Sequence, residues 1–346
     1  MVRDVSIKLK DLSELLGLSQ TTVSRALNGY PEVGEKTRAR VAQAAREHEY
    51  HPNPSAQRLA TGRSGTLGII LPAERNLLIE PLFVEYLAGV AETTAETGFD
   101  ITISTIPLRD EALAYRRMAR GGRVDGLLLS SPLLNDPRIA LLNSHNADFV
   151  LHGRIEGAMP CAFLDIDNEG AFYAATRLLI DLGHERIVHF NADQRLMFAT
   201  HRERGFQRAL TERGLWRGPE HSFESEMQEE EGFRLASLCL TRPQPPTAFV
   251  CASVLTAMGV MRAARGLGLR IGEDLALVAH DDQLPFLKPE FFDPPLSTTQ
   301  SSIRNAGRRV AQMLLAKISG TPAAELQEIW TPQLVVRAST PPCKQR

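Results

Sequence analysis

Ser19-Gln20-Thr21-Thr22-Val23-Ser24-Arg25-Ala26-Leu27-Asn28 follows Lys10-Asp11-Leu12-Ser13-Glu14-Leu15-Leu16-Gly17 near the start of this 346-residue chain, and the two stretches read together as a helix-turn-helix. In the first, Leu9, Leu12, Leu15 and Leu16 share one face at helical spacing, and Gly17 supplies a backbone free to turn within a few residues. The second opens at Ser19, a residue suited to accept a hydrogen bond from an unpaired first-turn amide. Val23, Ala26 and Leu27 turn toward the first helix, leaving Gln20, Thr21, Thr22, Ser24, Arg25 and Asn28 outside. Gln and Arg make paired hydrogen bonds to base edges in a major groove, whereas Thr, Ser and Asn more often reach phosphates. Gln20, Thr21 and Arg25 are therefore the candidate base readers, with Ser19, Thr22, Ser24 and Asn28 fixing register. Taken alone, ten such residues also fit an ordinary amphipathic helix with a solvated face.

The neighbouring sequence narrows the choice. A third helix is expected from about Glu35 to His48, with Val41, Ala42 and Ala45 inward and Arg38, Arg40 and Arg46 outward. His51-Pro52-Asn53-Pro54 breaks it, and Ser55 to Thr61 has room for one short helix before Gly62. So short a helix is marginal in isolation.

The run Thr21 to Asn28, followed by Val33, Thr37-Arg38, Val41, Tyr50, Pro52-Asn53 and Leu59-Ala60, resembles the bacterial lactose-repressor/galactose-repressor (LacI/GalR) family, and the resemblance extends over nearly the whole chain. It implies a headpiece over residues 1–53, a hinge helix and linker over 54–63, and an effector-binding and dimerisation domain over 64–346. In that frame Thr37, Asn53, Ala56 and Leu59 join the DNA contacts, with Leu59 wedged between base pairs in the minor groove. One departure is Gly34, where the family often carries Ser to cap the third helix.

A formal charge of −2 does not advertise a nucleic-acid partner, but residues 1–62 hold nine Lys or Arg against seven Asp or Glu, so the remainder carries −4. Attraction to DNA then depends on where the cations sit and on doubling in a dimer. Cys161, Cys239, Cys251 and Cys343 lack zinc or redox spacing and are expected to be buried or incidental thiols in a reducing compartment. No signal peptide precedes the helix-turn-helix, and no apolar run approaches the roughly 18 to 20 residues of a membrane span. A cytoplasmic protein without membrane contact is expected.

Beyond Gly65, β-rich runs at 66–71, 100–105, 125–130, 148–152, 161–165, 186–191, 247–252 and 275–280 alternate with helical stretches at 83–97, 111–120, 169–182, 202–213, 230–240 and 255–266. Such alternation predicts parallel sheets covered by helices, too many strands for one small sheet. The fold expected is an all-α helix-turn-helix headpiece plus an α/β domain of two doubly wound parallel-sheet lobes, like a periplasmic sugar-binding protein. By resemblance the chain crosses between lobes three times, near Leu164, Phe292 and Glu328, giving lobe 1 about 64–164 plus 293–328 and lobe 2 about 165–292 plus 329–346. Ligands collect beyond the carboxyl ends of strands in such sheets, so the cleft between lobes is the expected effector site.

By resemblance Arg202 and Asp281 reach into that cleft from opposite walls, a donor and an acceptor suited to sugar hydroxyls. Ser130, His152 and Arg154 are cleft candidates from their strand-end positions, and Phe83 from its capacity to stack on a sugar ring. Ser253 is a further effector candidate, although Ser253-Val254 stands where many relatives have Asn-Asp, which weakens any ligand assigned by analogy. Trp216 and Trp330 are harder to place.

Enzyme-like features carry little. Asp165, Asp167 and Asn168 suggest a carboxylate cluster, but the family commonly ends a strand this way with the Asn capping the next helix. His280-Asp281-Asp282 has no nucleophile turn, His-Glu-x-x-His or Walker loop beside it, and Glu229-Glu230-Glu231 reads as a solvated helix start. The expectation is a non-enzymatic transcriptional regulator, a homodimer or tetramer, without cofactor or metal. It would bind palindromic operator DNA and release it when a small sugar occupies the cleft. Leu71-Pro72-Ala73-Glu74-Arg75-Asn76, Glu80-Pro81-Leu82-Phe83 and His152-Gly153-Arg154 resemble members regulating α-glucoside use. Purine or amino-sugar corepression is a second reading. A sugar transporter's binding protein or a sugar-processing enzyme would share the lobes and not residues 1–62.

Overall fold

The computed structural model describes residues 7–50, 62–73, 80–157 and 161–344, and the chain divides into two compact units, Met1–Ser64 and Gly65–Arg346. In the first, α1 (Leu9–Leu16), α2 (Gln20–Leu27) and α3 (Glu35–Glu47) close around Leu12, Val23, Ala26, Val33, Val41, Ala44 and Ala45. Gly17 ends α1 in the left-handed conformation at φ 61°, and the Ser19 hydroxyl accepts from Thr22 N at 3.1 Å to start α2. Gly34 starts α3 without a side-chain bond. Leu15, expected inward, is 56% exposed. Leu18, beyond the turn, packs on the core instead, because the turn brings it back over the helix pair. Ala44 is buried, and Ala42 only partly so.

The second unit contains, in chain order, β1 (Thr66–Pro72), α4 (Pro81–Thr97), β2 (Asp100–Ile106), α5 (Glu111–Arg120), β3 (Gly126–Ser130), α6 (Pro137–Ser144), β4 (Phe149–His152) and β5 (Ala162–Ile166). It continues through α7 (Asn168–Asp181), β6 (Ile187–Asn191), α8 (Met197–Thr211), β7 (Ser222–Glu224), α9 (Glu229–Leu240), β8 (Ala248–Cys251), α10 (Val254–Gly266), β9 (Ala276–Asp281) and β10 (Ser297–Gln300). It ends with α11 (Ile303–Ile318), β11 (Gln327–Trp330) and β12 (Gln333–Val335). One sheet runs β11-β5-β4-β3-β1-β2 and the other β12-β10-β9-β8-β6-β7. All pairs are parallel except β10 with β12, an antiparallel edge the alternation does not announce.

The chain leaves the first sheet after Ile166 and returns to it between Gln300 and Ile303. The return is later than the expected crossing near Phe292, because Ser297–Gln300 pairs with β9 and so belongs to the second lobe. The last crossing follows Trp330, whose strand pairs with β5. Lobe 1 centres on Leu67, Val90, Val150, Val310 and Leu314, and lobe 2 on Phe190, Phe249, Val260 and Leu277.

Three helix pairs meet backbone to backbone at glycines: a Cβ on Gly89 would lie 1.9 Å from Arg304 O, on Gly205 2.1 Å from Glu169 O, and on Gly259 2.1 Å from Glu229 O. Among the described residues the four cysteines are free thiols, three of them buried, and no helix is long and apolar enough to cross a membrane.

Candidate functional site

In the small unit, Gln20, Thr21, Ser24, Arg25 and Asn28 line one shallow concavity with Leu9 and Tyr30. Helical spacing brings them there: these positions recur on the side of α2 opposite buried Val23 and Ala26. Gln20, Thr21 and Arg25 are exposed, and Arg25 makes no ion pair among the described residues. Other members of the predicted set are engaged locally. Thr22 shares a hydrogen bond with Ser19 Oγ at 2.9 Å, and Asn28 Nδ2 donates to Ser24 O at 2.9 Å. Thr37 lies half-buried in the first turn of α3, while Asn53, Ala56 and Leu59 fall outside the described residues.

In the large unit, a cleft of about 460 Å³ opens at the carboxyl ends of strands from both lobes. Phe83, Ser130, His152 and Arg202 line it. Arg202, only 5% exposed, donates from Nε to Asn168 Oδ1 at 2.8 Å and from Nη1 to Ala252 O at 2.9 Å. Its guanidinium lies 4.9 Å from the Phe172 ring centroid and 4.8 Å from that of Phe198. Burial lowers its pKa to about 10 against the pull of Asp282 and Asp165, and no carboxylate among the described residues lies within ion-pair distance. It is a buried cation held ready by neutral groups and aromatic faces.

Arg154, Ser253 and Asp281 are not on the lining. Arg154 stands behind it, its Nε 3.5 Å from Asp165 Oδ2. Ser253 caps α10 by accepting from Thr256 N at 3.1 Å. Asp281 accepts from Gln283 N at 2.8 Å and Gln300 Nε2 at 3.2 Å, and its neighbour Asp282 faces the cleft instead. Successive residues leaving a strand point to opposite sides, so one position decides which carboxylate the ligand meets. Burial pushes the Asp282 carboxyl up, but His280, 3.5 Å away, and Arg202 bring it below the ordinary carboxylate range.

Sequence reasoning also missed Tyr86, Asp165, Asn168, Phe198 and Met227 as lining residues. Asp167, not Asn168, caps α7, accepting from Gly170 N at 2.9 Å, so Asn168 is free to hold Arg202 and to donate to Ile166 O at 3.2 Å. The Asp165 Oδ2 and Tyr86 hydroxyl atoms are buried without hydrogen-bond partners. Burial pushes the Asp165 carboxyl up to about 6, with Arg154 opposing. His152 stacks on Tyr86 at 5.1 Å, and burial lowers its pKa to about 4, so the ring is neutral at pH 7. Unsatisfied polar atoms in a roomy cleft mark where a polar ligand or water makes its bonds.

The lobes also touch across the cleft. Leu134 N donates to Arg195 O at 3.0 Å, Met197 N donates to Pro132 O at 2.9 Å, and Glu156 pairs with Arg204 and with His201 Nε2 at 3.4 Å.

Comparison with known proteins follows both units. Residues 8–53 match the model for bacterial regulatory proteins of the lacI family, and residues 176–340 match a periplasmic binding protein-like domain. The chain is 47% identical over 341 residues to the HTH-type transcriptional regulator AglR of Rhizobium meliloti (strain 1021), covering 98% of this chain and 96% of AglR. A transcriptional regulator CelR-cellobiose complex is 28% identical with a TM-score of 0.70, covering 96% of this chain and 99% of that one. The lac repressor dimer bound to operator and the anti-inducer ONPF is 25% identical with a TM-score of 0.80, covering 97% and 99%.

Proposed function

The chain belongs to the LacI family of bacterial regulatory proteins, and on that premise we propose that it is a non-enzymatic repressor whose grip on a palindromic operator is set by an uncharged α-glucoside in the cleft. The observation that carries this reading is the constellation of Arg202, Asn168, Asp165 and Asp282 on the wall of a cleft of about 460 Å³, with Asp165 Oδ2 buried and without a hydrogen-bond partner. Hydroxyls that both donate and accept match such a mixed set. Charge on the lining favours a neutral ligand. Glu80, Glu111, Asp136, Asp165, Asp193 and Asp282 outnumber Arg138, Arg195 and Arg202, and His152 adds no positive charge at pH 7. A phosphorylated sugar or a nucleotide would meet excess negative charge.

The operator is gripped by the α2 face, and the cited relatives, a cellobiose complex and an operator-bound dimer, support both halves of the reading. Occupancy shifts DNA affinity only if the ligand favours one lobe arrangement over the other. Operator titrations with and without maltose, sucrose and trehalose test it. At least one of these is expected to weaken operator binding, and Arg202→Gln should bind that sugar about 10- to 100-fold more weakly while holding operator as before. Operator binding indifferent to every neutral glycoside and responsive to a phosphosugar would overturn the assignment.

A further inference from the structure

We propose that Arg116, Arg117, Arg120 and Arg123, on α5 and the turn after it, form a second contact for duplex DNA, gripping phosphates that flank the operator. The proposal rests on the regulator reading above and adds a surface outside the α2 face.

Arg116, Arg117 and Arg120 fall on one side of α5 at i, i+1 and i+4, and Arg123 follows past Gly121 and Gly122. All four are exposed, and none makes an ion pair among the described residues. Elsewhere in this unit surface arginines are mostly neutralised: Arg208 by Glu169, Arg234 by Glu231, Arg262 by Glu229, Arg309 by Glu328. The two acids at the start of the same stretch are spent otherwise, Glu111 lying 3.8 Å from partly buried Arg138 and Asp110 3.8 Å from Arg109. A unit whose sequence is acidic overall thus carries, on α5 and the turn after it, a cationic face without ion-pair partners among the described residues.

Its position suits a nucleic-acid partner. Asp125, two residues beyond Arg123, accepts from Gly65 N at 2.8 Å and donates its own N–H to Thr66 O at 2.8 Å. The arginines therefore end beside the start of β1, the strand that opens this unit. Guanidinium groups match phosphates in charge and in fork geometry. The need is real as well. Residues 1–62 have a surplus of only two positive charges, little for a protein whose affinity comes largely from releasing phosphate counterions.

Fluorescence anisotropy on the full-length protein tests this, using its operator within long flanks and the same operator trimmed to its ends, across a range of salt. The variant replaces all four residues, Arg116→Gln, Arg117→Gln, Arg120→Gln and Arg123→Gln. If two of the four arginines in each protomer hold a phosphate, the dimer loses four contacts and the slope of log affinity against log salt falls by about 3.6 on the long duplex, so wild type and variant converge about a hundredfold between about 50 and 200 mM salt. On the trimmed duplex the two proteins should agree, and replacing the four by Lys should keep the slope. Equal slopes on the long duplex, or equal weakening on both duplexes, overturns the proposal. Wild type showing no preference for operator over random duplex would sink the regulator reading itself, a distinguishable result.

Discussion

Asp165 and His152 stand at the ends of neighbouring strands in the cleft, and burial moves their proton affinities in opposite directions. Asp165 stays protonated to about pH 6 in the folded chain against an ordinary value of 3.8, so its contribution is complete below that ordinary value and is lost as pH rises through 6. His152 stays neutral down to about 4 against an ordinary 6.5, so its contribution is complete above 6.5 and is lost as pH falls through 4. Each swing is on the order of 3 kcal/mol, and over the same window they nearly cancel. Asp165→Asn should therefore unfold a few degrees higher than wild type at pH 7 without ligand, lose that gain toward pH 4, and bind sugar more weakly. His152→Gln should tilt the other way, losing stability as pH rises. Melting curves from pH 4 to 7 check this, and identical slopes in the three proteins would refute it. Such poise was not legible from residue order. Arg202 was readable by resemblance, but the choice between Asp281 and Asp282 depends on the last peptide of β9, below the resolution of any pattern.

Elements were legible where burial imposes a period and illegible where short polar strands lie between lobes. The central strands and the helices beside them show runs such as Leu127-Leu128-Leu129 and Phe249-Val250-Cys251. β10 is Ser297-Thr298-Thr299-Gln300, nearly fully buried yet polar, satisfied by bonds such as Ser297 Oγ to Arg337 O at 3.1 Å. No hydrophobic alternation can reveal it. β11 and β12, at the sheet edges, are similarly short and half-wet, and α11 before them was passed over although Ala306, Val310, Met313 and Leu314 recur at helical spacing. The glycines at helix crossings were not legible either, since their role lies in what touches them. Gly205→Ala and Gly259→Ala should each cost about 1–3 kcal/mol or more, because the added methyl meets a carbonyl oxygen that belongs to the partner helix. Gly266→Ala, at the end of α10 with open space around it, should leave the melting temperature nearly unchanged. Equal effects at all three sites would show that these crossings are loose.

At the scale of the whole molecule, the cleft is where two rigid sheets are tied together, by three chain crossings and by the contacts from Leu134, Met197 and Glu156 over its mouth. Well-packed lobes do not deform gradually, so on the proposed reading a ligand in the cleft acts by changing how often the mouth is shut, and operator affinity follows that population. This makes the coupling reciprocal. If a sugar lowers operator affinity by some factor, saturating operator must lower affinity for that sugar by the same factor. Glu156→Gln, which weakens one tie across the mouth without touching the lining, should reduce sugar affinity and leave operator affinity in the absence of sugar within a few fold. Calorimetric sugar titrations of free and operator-bound protein, set against operator titrations at zero and saturating sugar, provide both factors for wild type and variant. Factors that disagree beyond error would mean that cleft and operator do not report on one shared equilibrium, whatever the fate of the individual contacts.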